Sequence, residues 1–120
     1  MNLDKIDPAL KLMKDFAKVS GNTVSSLQKL REEQIFKDGL IPAKIKALMA
    51  TLLALNERCE PCLKFYTLKA KELGITKEEL GEALSIASTM GGCVGEMWAL
   101  KAFKAYSDSV GADTEEECCH

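Results

Sequence analysis

The sequence predicts an all-α fold, a helical bundle of about six helices. Three observations carry this. Apolar residues recur at three- and four-residue spacing along most of the chain. Glycine, proline and small polar residues punctuate these stretches at intervals suited to short helices. No segment alternates apolar and polar residues in the manner of a strand.

Each element has its own signals. Pro8 to Val19 carries Leu10, Met13, Phe16 and Ala17 at near-helical spacing, and Ser20-Gly21-Asn22 ends it. Asn22 or Thr23 is suited to cap a second helix holding Val24, Leu27, Leu30 and Ile35. Asp38-Gly39 is expected to stop it, with Gly39 in the left-handed C-terminal position. Ile41-Pro42 starts a third helix. Its apolar residues Ile45, Leu48, Met49, Leu52, Leu53 and Leu55 cover more than one face, which predicts the central, most buried helix.

Asn56-Glu57-Arg58-Cys59 reads as a short polar break or a loosened helical turn, and Pro61 as a fresh helix start running through Leu63, Tyr66, Ala70 and Leu73 to Gly74. Thr76-Lys77-Glu78-Glu79 is a capping box, in which hydroxyl and carboxylate satisfy each other's orphan amides. The helix behind it holds Leu80, Ala83, Leu84 and Ala87 and ends near Met90. Gly91-Gly92 breaks the chain, and a last helix carries Met97, Trp98, Phe103 and Tyr106. The expected organisation is a single domain over 1–111, with N-terminal helices in 1–39 and a core region in 40–111. An acidic, flexible tail over 112–120 follows.

Composition narrows the function. The 120 residues are 47% hydrophobic and 28% charged, with a net charge of -2. There is no basic excess to suggest a nucleic-acid partner. The longest strongly apolar run, Ala47 to Leu55, is far short of a membrane span. The first residues do not read as a signal peptide, so the expected compartment is the cytoplasm, where thiols are kept reduced. Five cysteines are an odd number, unlike a disulfide scaffold.

The chemistry concentrates in Cys59-Glu60-Pro61-Cys62. Two residues between cysteines at a helix start let the sulfurs meet. The free amides and partial positive charge of the helix end favour a thiolate, the form that attacks a peroxide or disulfide. Arg58 and Lys64 can add to that field. A zinc site is the competing reading. It needs two more ligands, which Cys118, Cys119 and His120 could supply from a poorly suited tail position. Inert thiols are the third. Cys93 reads as a small core residue. Gly91-Gly92-Cys93-Val94-Gly95 lacks the ending of a phosphate loop, and no nicotinamide or flavin motif is visible, so no cofactor and no metal are expected. Tyr66 and Trp98 are most simply core or interface aromatics, and the charges from Lys69 to Glu82 a solvated face.

The stretch from Leu40 to Tyr106 resembles the alkylhydroperoxidase D-like and carboxymuconolactone decarboxylase superfamily. The residues that carry the likeness are Ile41-Pro42-Ala43-Lys44-Ile45-Lys46-Ala47-Leu48, Arg58-Cys59-Glu60-Pro61-Cys62, the run Ala70 to Glu79, and Glu82-Ala83-Leu84 leading to Gly91-Gly92. The resemblance implies an AhpD-like helical fold and assembly as homo-trimers or hexamers. It implies that Cys62 attacks a small peroxide or disulfide and that Cys59 resolves the intermediate. A thiol protein would then donate the electrons.

Two positions depart from the redox branch of that superfamily. The histidine four residues after the second cysteine is Tyr66 here, and the glutamate of the preceding helix is Ala47. A phenol cannot readily accept a proton at neutral pH, but it can donate a hydrogen bond. Tyr66, one helical turn past Cys62, is therefore a third candidate beside the cysteines, with Glu57 and Glu60 as possible substitute bases. A non-catalytic binding or assembly protein on the same fold, and a decarboxylase-like enzyme, are the alternatives. The cysteine pair argues against the second.

Overall fold

The apolar residues of the third helix set the architecture. In the computed structural model, which describes residues 3–119 without the side chains of residues 4 and 110–119, that helix runs Ala43–Glu57. It buries Ala43, Ala47, Thr51, Ala54 and Leu55, and it packs on both of the helices that follow. Of the expected tail over 112–120, the backbone of 112–119 is described, and the side chains of Cys118 and Cys119 and all of His120 lie outside the description.

Two 3-10 turns, Leu3–Lys5 and Pro8–Leu12, open the chain. Five α-helices follow: α1 Met13–Val19, α2 Thr23–Gln34, α3 Ala43–Glu57, α4 Glu60–Glu72 and α5 Lys77–Cys119. No strand occurs among the described residues. α5 is interrupted at Gly92, whose φ of 61° and ψ of -142° are non-helical. The chain folds back there. The Tyr106 hydroxyl donates to the Ile75 carbonyl at 2.9 Å, and the Lys77 ammonium lies over the Phe103 ring. The two limbs of α5 therefore run as a hairpin, which accounts for the helix expected beyond Gly91-Gly92.

The core joins α3, α4 and both limbs of α5. Leu63, Ile75 and Leu80 are fully enclosed, packed with Ala47, Ala54, Leu55, Ala70, Leu84, Ala99 and Ala102. Each large side chain so buried contributes roughly 1.5–3 kcal/mol. The capping box forms as expected: Thr76 N–H donates to Glu79 Oε1 at 2.8 Å, and Glu79 N–H to Thr76 Oγ1 at 3.1 Å. The N-terminal helices form an arm. α1 packs on α2 and on the preceding 3-10 turn, and neither helix contains a buried residue.

Three local expectations need correction. α2 ends at Gln34, before Asp38-Gly39, and Gly39 is not among the positive-φ glycines, which are Gly21, Gly74 and Gly92. A tertiary contact ends the helix: Phe36 turns inward, its ring 6.1 Å from those of Phe65 and Tyr66. Asp38 serves the next helix, accepting from Ala43 N–H at 2.7 Å. Asn22 precedes α2 without a side-chain capping bond, while Thr23 Oγ1 donates back to the Ser20 carbonyl. Nor is the face from Lys69 to Glu82 wholly solvated: Lys71 donates to the Tyr106 carbonyl and lies 4.8 Å from the centre of that ring.

Candidate functional site

The cysteine pair lies in the turn between α3 and α4. α3 ends with Arg58 in the left-handed conformation, φ 60°. A non-glycine residue there costs about 1 kcal/mol. Two bonds hold the turn: Arg58 N–H donates to the Leu55 carbonyl and Cys59 N–H to the Ala54 carbonyl. Asn56 and Glu57 are still helical, so the break is confined to Arg58 and Cys59. Cys59 is the extended N-cap of α4, and its carbonyl accepts from Leu63 N–H at 2.8 Å. Cys62 follows in the first turn. The two α-carbons are 5.3 Å apart and the sulfurs are joined as a disulfide.

The two sulfurs are not equivalent. Cys62 is exposed and Cys59 is half-buried. Pro61 has no N–H to offer, while the other amides of this first turn lack intrahelical acceptors and present their partial positive charge to the pair. Glu60 sits between the cysteines, engaged by two lysines. Lys101, from the second limb of α5, donates to its Oε1 at 3.0 Å, and Lys64 lies 3.9 Å from Oε2. The hydrogen bond from Lys101 and the charges of Lys101 and Lys64 hold the Glu60 carboxyl below the usual carboxylate range. That makes it a poor proton acceptor, against its expected candidacy as a base. Glu57 is exposed.

Cys62 opens on a cavity of about 1100 Å3 between the arm and α4. Its wall is mainly apolar, with Met13, Phe16, Leu27, Phe36 and Phe65 among the lining residues. Tyr66 lines the same cavity one turn beyond Cys62. Its ring stands 5.1 Å from that of Phe65 in an edge arrangement. Arg31 of α2 donates from Nε to the Tyr66 hydroxyl at 3.3 Å. Tyr66 is therefore at once part of the core packing and part of the cavity wall. Ala47 is completely buried on α3, and Thr51 one turn later bonds its own helix at the Ala47 carbonyl.

Arg31, Phe36 and Lys101 are the site neighbours that sequence reasoning missed. Arg31 and Tyr66 are 35 residues apart, and Lys101 and Glu60 are 41 apart. No spacing rule spans such distances. Cys93 also departs from expectation: it is exposed, not in the core. It sits at the tip of the α5 hairpin, where Gly95, not Cys93, meets the opposite limb. Trp98 is half-buried against the core, with the Lys101 ammonium 5.5 Å from its ring centre. Among the described residues, no three His, Cys, Asp or Glu side chains are grouped to hold a metal ion, and no helix is long and apolar enough to cross a membrane.

Known proteins share this sequence in part and this fold over most of its length. The chain is 42% identical over 76 residues to an uncharacterized protein of Cupriavidus necator, a match covering 63% of this chain and 66% of that protein. A crystal structure of the apo form of a carboxymuconolactone decarboxylase family protein from Legionella pneumophila superposes with a TM-score of 0.78 at 29% identity. That match covers 88% of this chain and 95% of the other. The carboxymuconolactone decarboxylase family model matches residues 23–105, which takes in α2 of the arm, the whole turn around Cys59 and Cys62, and the α5 hairpin as far as residue 105; the chain belongs to that family.

Proposed function

We propose that the chain is a thiol oxidoreductase that reduces a peroxide or a disulfide, with Cys62 as the attacking sulfur and Cys59 as the resolving one. The observation that carries this reading is the asymmetry of the pair: Cys62 is exposed on a cavity at a helix start, and Cys59 is half-buried within bonding reach of it. The Cys62 thiolate attacks one oxygen of a peroxide, the O–O bond breaks, and a sulfenic acid forms on sulfur while the other oxygen leaves with the electron pair. Cys59 then attacks the sulfenic sulfur and expels water, leaving the disulfide. A thiol protein of lower potential returns the two electrons. The apolar cavity wall suits a substrate with a hydrocarbon body.

The test is disulfide closure followed by mass spectrometry on reduced protein with the tail cysteines replaced. A stoichiometric amount of peroxide closes the pair in the wild type. Cys59→Ser stops at a trapped Cys62 sulfenic acid, and Cys62→Ser does not react. If Cys59 is the sulfur trapped in Cys62→Ser, the assignment of roles is reversed. If neither reacts faster than a free thiol, the redox reading is dropped.

Assembly as a homo-oligomer belongs to the same reading. Phe16 and Val19 on α1, Leu27 and Leu30 on α2, and Ile86, Met90, Val94 and Met97 at the α5 hairpin tip are all exposed. Two apolar patches of this kind on one small chain favour a self-associating protein. If catalysis fails the test above, these surfaces favour the non-catalytic assembly role.

A further inference from the structure

Tyr66 has a partner that its place on α4 does not suggest. The Arg31 guanidinium reaches it from the arm, across the cavity that Cys62 opens on. A guanidinium is donor-only and always charged. It therefore occupies a lone pair of the Tyr66 oxygen and leaves the phenolic proton to point elsewhere. Phe36 and Phe65 flank the ring and offer no acceptor there. Among the described residues the Tyr66 hydroxyl donates to no protein atom, and no carboxylate lies within ion-pair distance of Arg31.

We infer that Arg31 is a positioning residue that turns Tyr66 into a proton donor for the alkoxide that leaves when Cys62 attacks a hydroperoxide. This rests on the thiol reading above. When the Cys62 thiolate takes one oxygen of an alkyl hydroperoxide, the S–O bond forms and the O–O pair departs on an alkoxide. The Tyr66 proton goes to that alkoxide, giving an alcohol. The resulting phenolate, still within hydrogen-bond reach of Arg31 Nε, is reprotonated by water. Cys59 then closes the disulfide and releases water. The site is thereby completed by an arm residue, and Tyr66 acts as an acid where a histidine relay would act as a base.

The test uses two probes for Cys62 in the reduced chain. tert-Butyl hydroperoxide has a basic alkoxide leaving group that needs a proton. The aromatic disulfide dithiobis(nitrobenzoate) expels a stable thiolate that needs none. Tyr66→Phe is expected to slow the peroxide reaction about a hundredfold, the low end of the usual range for a general acid, and Arg31→Ala about tenfold. The aromatic disulfide should react at nearly the wild-type rate in both. Arg31→Lys should recover part of the loss, and the double variant should be no slower than Tyr66→Phe.

Equal slowing of both probes means that Arg31 only shapes the cavity, and overturns the inference. So does an Arg31→Ala variant with the wild-type rate ratio, in a protein whose pair still closes on peroxide. A wild type that does not react with peroxide overturns the peroxide reading and this inference together.

Discussion

Gly81 and Gly95 both lie inside α5, and a helix-propensity argument treats them alike. Replacing a mid-helix glycine by alanine is worth roughly 0.5–1 kcal/mol, because alanine loses less backbone entropy. At Gly81 nothing lies within 4 Å of an added Cβ. Gly81→Ala should therefore be stabilising by that amount. At Gly95 the added Cβ would stand 2.4 Å from the Ala87 carbonyl oxygen, a backbone atom of the opposite limb. Ordinary contact needs about 1 Å more, so the two limbs must part along the hairpin. Overpacking of this kind costs about 1–3 kcal/mol, which outweighs the propensity gain. For a chain of this size, each kcal/mol moves the melting temperature by roughly 3–6 °C. Thermal unfolding followed by circular dichroism should place Gly81→Ala above the wild type and Gly95→Ala below it. A Gly95→Ala protein as stable as Gly81→Ala would refute the close packing of the limbs.

Three further outcomes follow from named contacts. Thr67 is fully buried and its hydroxyl has no protein partner, so Thr67→Val, of nearly the same shape, should be neutral or stabilising by up to about 1 kcal/mol in urea unfolding. A loss of more than that would mean that the hydroxyl is satisfied. Thr76→Ala removes one half of the capping box and should cost about 1 kcal/mol by the same measurement. The Glu60–Lys101 pair stabilises the fold above the ordinary carboxylate value of 4.5, and this is lost as pH falls through the lowered pKa of the folded state. Glu60 is 45% exposed, so solvent screening keeps the effect below about 1 kcal/mol. Lys101→Ala should accordingly reduce the difference in stability between neutral pH and about pH 3, read from paired urea titrations.

The sequence made the helices legible wherever a local rule decided them. Pro61 at the start of α4, the Thr76–Glu79 box and Gly74 with its φ of 106° each act within a few residues. The same holds for Cys59 and Cys62, whose spacing brings them together on one turn. Reading failed where distant chain segments decide. The end of α2 is set by Phe36 finding Phe65 and Tyr66, not by Asp38-Gly39. Cys93 is outside because the α5 hairpin tip faces away from the core, a fact of tertiary geometry. Glu60, a candidate base by its place beside the cysteines, is engaged by Lys101 of the far limb, 41 residues away.

The departures from the redox branch point in one direction. A glutamate in place of Ala47 would sit at a fully buried position on α3, where its charge would need a partner such as the missing histidine. With tyrosine at position 66 that partner is gone, and a buried carboxylate would be costly, so alanine at 47 and tyrosine at 66 are mutually consistent. In this chain the polar support of Tyr66 comes from the arm side, where Arg31 meets it. On the proposed reading such a site keeps an exposed attacking sulfur, a resolving sulfur and a hydrogen-bond donor, and draws no base from Glu60, which two lysines engage. Its rate should therefore follow the thiolate fraction of Cys62 set by the helix end and by bulk pH. Peroxide reactivity rising with pH along the Cys62 thiolate titration, unchanged in Glu57→Gln and Glu60→Gln, is the expected profile. A loss of activity in either glutamine variant, with Cys62 alkylation by iodoacetamide intact, would show that an internal base exists after all.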